Sequence, residues 1–463
     1  MSQQIPSPLQ ARLAEFIVAT PYAALPDKFL ARLKWSLLDS LGCGLYGSRT
    51  EWAGIVARHA VEQGSGPARL WGSPLRVAAS SAVLANATMI HSFEIDDVHY
   101  GSRSHPGSVT IPVALALIDQ GLRVSGQALL CALAVGYEML ARVGACQGVS
   151  SFNRGWHPTG TAGVFAATAT AARLMGLTQA QCLQALGIAG AMPAGLMAAQ
   201  YGAMVKRFYA GHAAWVGLTA ASLARQGFTG MEDVFDAEYG GYPKALSDAV
   251  SLDALTDGLG ARYDAGTIGY KFFSCVGTNH TALEAVSELM REHGIAWREV
   301  REVRVATSEY QVLHSGWEYK PSTVMAAQMN MQYCIAALLM QGAVFVDQFE
   351  ERLLADPEVL ALAKRVVVNT DAAQDHKDRT AKVEIELAGG RVLAASCSAA
   401  RGHPDNPPTY EDIERKFLLL AGKIVSPDQC RALSALVGGI ESQDDLSGMG
   451  ALMAAAAGVP KAS

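Results

Sequence analysis

From Ser7 to about Gly260 the hydrophobic pattern of the chain is almost continuously helical, and that property limits the possible folds more than any other. Alanine-, leucine-, methionine- and glutamine-rich segments follow one another, broken by Gly and Pro, and strand patterns are nearly absent. Segments 26–47 and 125–146 carry apolar residues over wide arcs, which predicts helices buried between other helices. At 463 residues and 50% hydrophobic content, the chain can bury one large core or two domains. Small residues crowd 159–177 and 187–204, where they let helices approach closely and leave room for a pocket near the helix ends.

Past Gly266 the texture changes. Segments 300–315, 365–371 and 382–397 show the alternation and β-branched content of strands, the last with a Gly-Gly hairpin turn. After Cys397 a Pro/Asn-rich loop leads to an amphipathic helix with Thr409 and Glu411 near its start. The fold class expected is therefore mainly α with α+β. A large all-helical domain is built from both chain ends, and a smaller α+β domain is inserted into it.

One island stands out in the helical part. His91–Pro112 (HSFEIDDVHYGSRSHPGSVTIP) holds Glu94, Asp96, Asp97, His99, Arg103 and His105 between two apolar runs. A charged group kept from water costs several kcal/mol unless it is paired, so such a density calls for a reactive site or for acids turned to solvent in a capped helix connection. The pattern predicts a helix end, a Gly/Ser/Pro loop and a new helix entered at Pro112.

Net charge is −6 with no Lys/Arg block, which argues against nucleic acid or an anionic membrane as partner. The eight cysteines show no C-x-x-C pair and sit in apolar surroundings, as expected of reduced thiols in a cytoplasmic protein. Neither an export signal nor an 18-residue apolar run is evident.

Three further islands bear on chemistry. Arg154 and His157 precede a Gly/Thr-rich helix start suited to an anion. Lys206, Arg207, Tyr209 and His212 follow a small-residue segment, and Lys271 and His280 stand at the junction with the α+β part. Two lysines, several His and a few carboxylates suit a small substrate with two or three carboxylates. Cations neutralise it and a base removes the proton beside a carboxylate, with His fitting acid and base roles. No phosphate loop, nucleophile elbow or dinucleotide fingerprint appears. Asp96, Asp97, His99 and His105 are also respectable ligands for the divalent ion of a hydrolase, though their spacing matches no standard pattern. A non-catalytic helical binding protein would leave the islands unexplained.

Taken together, these islands resemble the MmgE/PrpD family: Asp96-Asp97, His99 and His105-Pro106-Gly107, then Arg154 with His157-Pro158, Lys206, Lys271 with His280, and Arg401-Gly402-His403-Pro404. The resemblance spans essentially the whole chain. It implies proton transfer beside a carboxylate without metal or organic cofactor, in a family that includes 2-methylcitrate dehydratase, cis-aconitate decarboxylase and iminodisuccinate epimerase. It also implies a homodimer, with residues 1–268 and 403–463 forming the helical domain and 269–402 an α+β lid. The active site is expected in the cleft between them. Asp96, Asp97, His99 and His105 then become acid/base candidates, His157 and Lys206 polarise substrate, and Lys271 closes the site. Glu94, Arg103, Arg154, Arg207, Tyr209 and His280 complete the binding set.

The chain departs from the family pattern at defined positions. Glu94 stands where decarboxylase-like members tend to have Asp, Val98 where Thr is common, and Val276 where a decarboxylase would carry His. One extra residue separates the acidic pair from His105. Loss of polar partners at the reacting centre points to a dehydratase-like lyase, with an epimerase next and a decarboxylase after it.

Overall fold

A computed structural model describes residues 7–375 and 379–454. Among these the chain is mainly helical, with a mixed four-stranded sheet confined to its later part. At the centre of the helical body is the helix Pro158–Leu174, which packs against Pro106–Asp119, Gly126–Asn153 and Val205–Arg225. Every residue of it from Thr159 to Ala172 is buried. Its mostly small side chains allow this on all faces, Phe165 being the one large residue in the stretch, and the threonines that interrupt the alanines satisfy their own hydroxyls, as Thr168 Oγ1 does by donating to the Val164 carbonyl at 2.7 Å. Gly126–Asn153 is long and apolar enough to cross a bilayer, but 94% of its most apolar window is buried inside the protein, so it is a core helix.

The helical part holds three short strands that the hydrophobic pattern does not reveal: β1 (Ser65–Arg69), β2 (Arg76–Val77) and β3 (Val98–His99). Two-residue strands carry no periodicity to read. β3 pairs antiparallel with β4 (Ile268–Gly269), joining the first titratable island to the start of the later segment. The helix expected from Pro112 begins instead at Pro106, with His105 as its N-cap. Proline's fixed φ suits the first helical position, and Pro112 is accommodated inside the same helix.

The main sheet runs β6 (Val366–Thr370), β5 (Val300–Thr307), β7 (Ala381–Leu387), β8 (Val392–Cys397), with β5/β6 parallel and the other pairs antiparallel. Val383, Ile385 and Leu387 point inward while Lys382 and Glu384 point out, and helix His280–His293 covers β7 and β8. The second half of segment 300–315 is a helix, Glu309–Ser315, rather than strand. Thr409 caps the helix Tyr410–Ala421, with Asp412 rather than Glu411 completing the capping box. That helix returns to pack on Asp27–Gly47.

Residues 270 and 402, far apart in sequence, meet where the Tyr270 N–H donates to the Gly402 carbonyl at 2.9 Å. Gly402 has φ +94°, and a Cβ there would collide with the Tyr270 carbonyl oxygen. All eight cysteines are free thiols, seven of them buried.

Candidate active site

The peptide from Phe93 to Asp97 leaves the C-terminus of helix Ala79–Ile90 and is held from several sides. Ser274 Oγ and Gln328 Nε2 donate to the Phe93 carbonyl at 2.7 and 3.0 Å, and Lys416 Nζ donates to the Ile95 carbonyl at 2.5 Å while pairing with Asp39 at 2.6 Å. Glu94 takes a left-handed backbone, φ 53°. Of the described non-glycine residues only Arg103, at φ 56°, shares that feature. Strain of this kind persists where surrounding contacts overdetermine it, and both residues line the same cavity.

Glu94 receives three buried cations: Lys206, Arg207 Nη1 at 2.5 Å and Lys271 Nζ at 3.1 Å. Burial pushes its carboxyl up, but the charges of Lys206, Lys271 and Arg207 more than offset this and hold it well below the usual carboxylate range. Burial, opposed chiefly by Glu94, brings Lys206 down to about 8. For Lys271 the attraction of Glu94 and Asp96 outweighs burial and raises it.

Next to this cluster, Asp96 Oδ2 accepts from His91 Nδ1 at 2.8 Å and lies 3.3 Å from His105 Nδ1. Despite burial, the His105 and His91 imidazoles hold Asp96 below its ordinary value. Asp97 behaves oppositely. Burial first, then the neighbouring Asp39 and Asp96, raise it to about 8, while its oxygens accept from the Gly107 N–H at 3.1 Å and Tyr137 O–H at 2.8 Å. Asp97 is thus a support beneath the N-terminus of helix Pro106–Asp119 that holds a proton more tightly than an ordinary carboxylate, and a Cβ on Gly107 would strike Ser40 and Asp97.

Hydrogen bonds fix the two cavity imidazoles in opposite tautomers. His105 Nδ1 lies 2.7 Å from the Asp97 carbonyl oxygen, which only accepts, so Nδ1 carries the proton and Nε2 presents a lone pair. His157, the N-cap of helix Pro158–Leu174, accepts the Gly160 N–H on Nδ1 at 3.4 Å, so its proton sits on Nε2. Burial lowers both groups, His105 to about 3, and keeps both rings neutral.

These side chains line an inner cavity of about 100 Å³, with Glu94, His105, His157, Lys206 and Lys271 on its polar side. Val98 and Val276 line it too, so two of the sequence departures face the site. Arg103 lies at its mouth, where an outer cavity of about 700 Å³ shares Tyr100, Arg103, Tyr310 and Arg379 with it.

The remaining sequence candidates are placed elsewhere. Asp97 supports the cavity from behind. Arg207 is fully buried and acts through Glu94 and Gln328. His99 is locked between Ser102 (2.8 Å), Thr267 and the Asp264 carbonyl (both 3.2 Å) and shapes the 100–104 turn. Tyr209 donates to the Leu196 carbonyl at 3.1 Å and packs on His157. His280 meets the Cys275 carbonyl at 3.2 Å. Arg154 is exposed and paired with Asp248, away from the cavity, because the turn before helix Pro158–Leu174 points it to solvent. His212, nearly two turns further along the Lys206 helix, is half-buried beside Trp215.

Sequence reasoning did not single out Gln200, Tyr310, His314 and Arg379, all of which line the inner cavity. Tyr310 and His314 are four apart, one face of a helix, and that spacing was the available signal once the segment is read as helical. His314 Nε2 meets Gln200 Oε1 at 2.9 Å and its buried Nδ1 has no partner among the described residues. His91, Asp96 and His105 place donor atoms within 4.8 Å of one another, near enough for a divalent ion. Their ring N–H groups and carboxylate are turned to each other and to the Asp97 carbonyl, which makes them a hydrogen-bonded triad rather than a set of free ligands.

The family model for the MmgE/PrpD N-terminal domain matches residues 11–252 and that for the MmgE/PrpD C-terminal domain matches 273–441. The chain belongs to the MmgE/PrpD family. It is 31% identical to a cis-aconitate decarboxylase-like protein, oryM, of Aspergillus oryzae, with 96% of each chain covered. It is 30% identical to a cis-aconitate decarboxylase of Aspergillus terreus, covering 91% of each, and 27% identical to the human cis-aconitate decarboxylase, covering 91% of this chain and 90% of that one. This membership supports a lyase-type enzyme acting on a carboxylate.

Proposed function

We propose that this MmgE/PrpD protein is a cofactor-independent, dehydratase-like lyase of a small di- or tricarboxylate. The observation that carries the reading is the pair of opposite tautomers at His105 and His157 in one cavity beside buried cations. His105 Nε2 removes the proton from the carbon beside a carboxylate. The resulting imidazolium is stabilised by Asp96 at 3.3 Å. The bonding pair moves into the carboxylate as an enediolate, which the Lys271 charge and the His157 Nε2–H stabilise, a neutral imidazole serving as hydrogen-bond donor. The pair then forms the double bond as the β-hydroxyl leaves as water, protonated by Lys206, whose value of about 8 suits an acid near neutrality. An α+β lid over residues 269–402 that brings Lys271 to the site, and a cytoplasmic homodimer, belong to the same proposal.

Decarboxylation is the reaction named for the relatives, and it is the third reading. Val98 and Val276 weigh against it, since each replaces a polar partner expected at the reacting centre, and one lost hydrogen bond to a charged group costs about 1.5–3 kcal/mol. Epimerisation needs the same base and ranks between the two.

Proton NMR in deuterated water, over citrate, 2-methylcitrate, aconitate isomers, malate-like and amino-dicarboxylate compounds, tests the reading. Deuterium enters a carbon beside a carboxylate of the true substrate, and His105→Ala abolishes this. No exchange into any of them overturns the proposal. Turnover of cis-aconitate to CO2 at about 1 per second or faster, an ordinary rate for a natural substrate, establishes the decarboxylase instead.

A further inference from the structure

The inner cluster has little positive charge to spare. Lys206, Arg207 and Lys271 face Glu94 and Asp96, which leaves a single positive charge in excess. It matches one carboxylate, so the other carboxylates of a polycarboxylate need cations outside this cluster. The other cations that line the cavity stand beside Tyr100 and Tyr310, at the passage it shares with the outer cavity. Two guanidinium groups, Arg103 and Arg379, stand at that passage and line both cavities.

Arg103 is partly buried on a closed turn. The His99 N–H donates to the Ser104 carbonyl at 2.8 Å, the reverse bond measures 3.3 Å, and Ser102 donates its N–H to His99 Nδ1 at 3.1 Å. That network holds Arg103 at φ 56°, a conformation strained in a residue with a side chain. Arg379 lies over the Tyr100 ring, 5.0 Å from its centroid. Among the described residues no carboxylate is within ion-pair distance of either guanidinium. Asp405, which shares the outer cavity, is turned to His403 at 3.4 Å, and Glu309 pairs with neither arginine.

We propose that Arg103 and Arg379 form a second anion-binding subsite at the neck between the cavities, which takes the substrate carboxylate farthest from the reacting carbon. This rests on the polycarboxylate reading above. A planar guanidinium fork suits a carboxylate, and a left-handed backbone braced by His99 is a means of aiming one. Substrates with a remote second carboxylate are favoured over those with both carboxylates at one end.

The test is calorimetric titration of the full chain with tricarballylate, a tricarboxylate without a hydroxyl to eliminate. Arg103→Met/Arg379→Met is expected to weaken binding by at least about tenfold, the scale of a lost charged hydrogen bond. Arg103→Lys should recover part of this. Arg298→Met, at an exposed arginine paired with Glu358, should leave binding unchanged with the same thermal unfolding. Equal affinity in wild type and double variant overturns the subsite, as does equal loss in Arg298→Met or the absence of saturable binding to wild type at millimolar ligand. Arginine-dependent binding without deuterium exchange in any substrate would sink the proton-transfer reading and leave the subsite standing. Exchange that is indifferent to both arginines would do the reverse.

Discussion

Lys271 lies 177 residues downstream of Glu94 and donates to its Oε2 at 3.1 Å, inside a cluster that also takes Lys206 and Arg207. Glu94→Gln leaves three buried cations around a neutral amide. A loss of about 3–5 kcal/mol is expected, as for other buried pairs broken on one side, read as a lower urea midpoint with unchanged slope. A midpoint equal to wild type would show that water reaches and screens the cluster.

The pH dependence of kcat/KM reports the free enzyme. Lys206, brought to about 8 by burial, loses its proton above that pH, so the rate falls on the alkaline side with a midpoint near there. His105, brought to about 3, stays neutral through the whole neutral range and sets no limb between pH 5 and 8. Lys206→Arg keeps the charge at every accessible pH, and the alkaline limb should vanish from whatever activity remains. Retention of the limb would assign it to another group.

Asp97 makes a stability prediction of the opposite sign to a salt-bridged carboxylate. Its proton is held to about pH 8 in the folded chain and released near pH 4 when unfolded. Between those values the unfolded state binds fewer protons, so this group's contribution is present at low pH and lost as pH rises. Thermal unfolding of wild type minus Asp97→Asn should decline across pH 6.5–8 by up to about 1.4 kcal/mol per unit. Below that window His105 and His314, depressed to about 3 and 4, act in the other direction. A flat difference would mean that Asp97 is ionised.

Val98→Thr/Val276→His places two polar groups on the cavity wall. CO2 release from cis-aconitate is expected to rise at least about tenfold over wild type, at 1.5–3 kcal/mol per recovered hydrogen bond. If wild type and variant release CO2 alike, these positions do not discriminate between the reactions.

Much of this was legible in the sequence, and the exceptions have physical causes. The helical body follows from wide apolar arcs, and the sheet from alternation such as Val383, Ile385, Leu387. The islands at Glu94, His105, His157, Lys206 and Lys271 announce themselves because buried charge demands a reason, and the structure brings all five to one cavity. Arg154 belonged to such an island by position alone, and a single turn sends it to solvent. Arg379 gave no local signal, since an arginine after a polar loop reads as surface. Which carboxylate of the Asp96-Asp97 pair is ionised depends on Asp39 and Tyr137, residues far from it in sequence.

Lys416, on the last-but-one long helix, sits beneath the 93–97 loop with its ammonium on Asp39 and the Ile95 carbonyl. In order of synthesis this means that the loop at 93–97 waits for more than three hundred residues before its support arrives. Contacts of such long range form late in folding. A nascent chain that has already made every residue of the base, the acid and the cation cluster is still without its foundation, so activity should arrive in one step with the C-terminal helices, and a chain cut before Tyr410 should be inert rather than weakened.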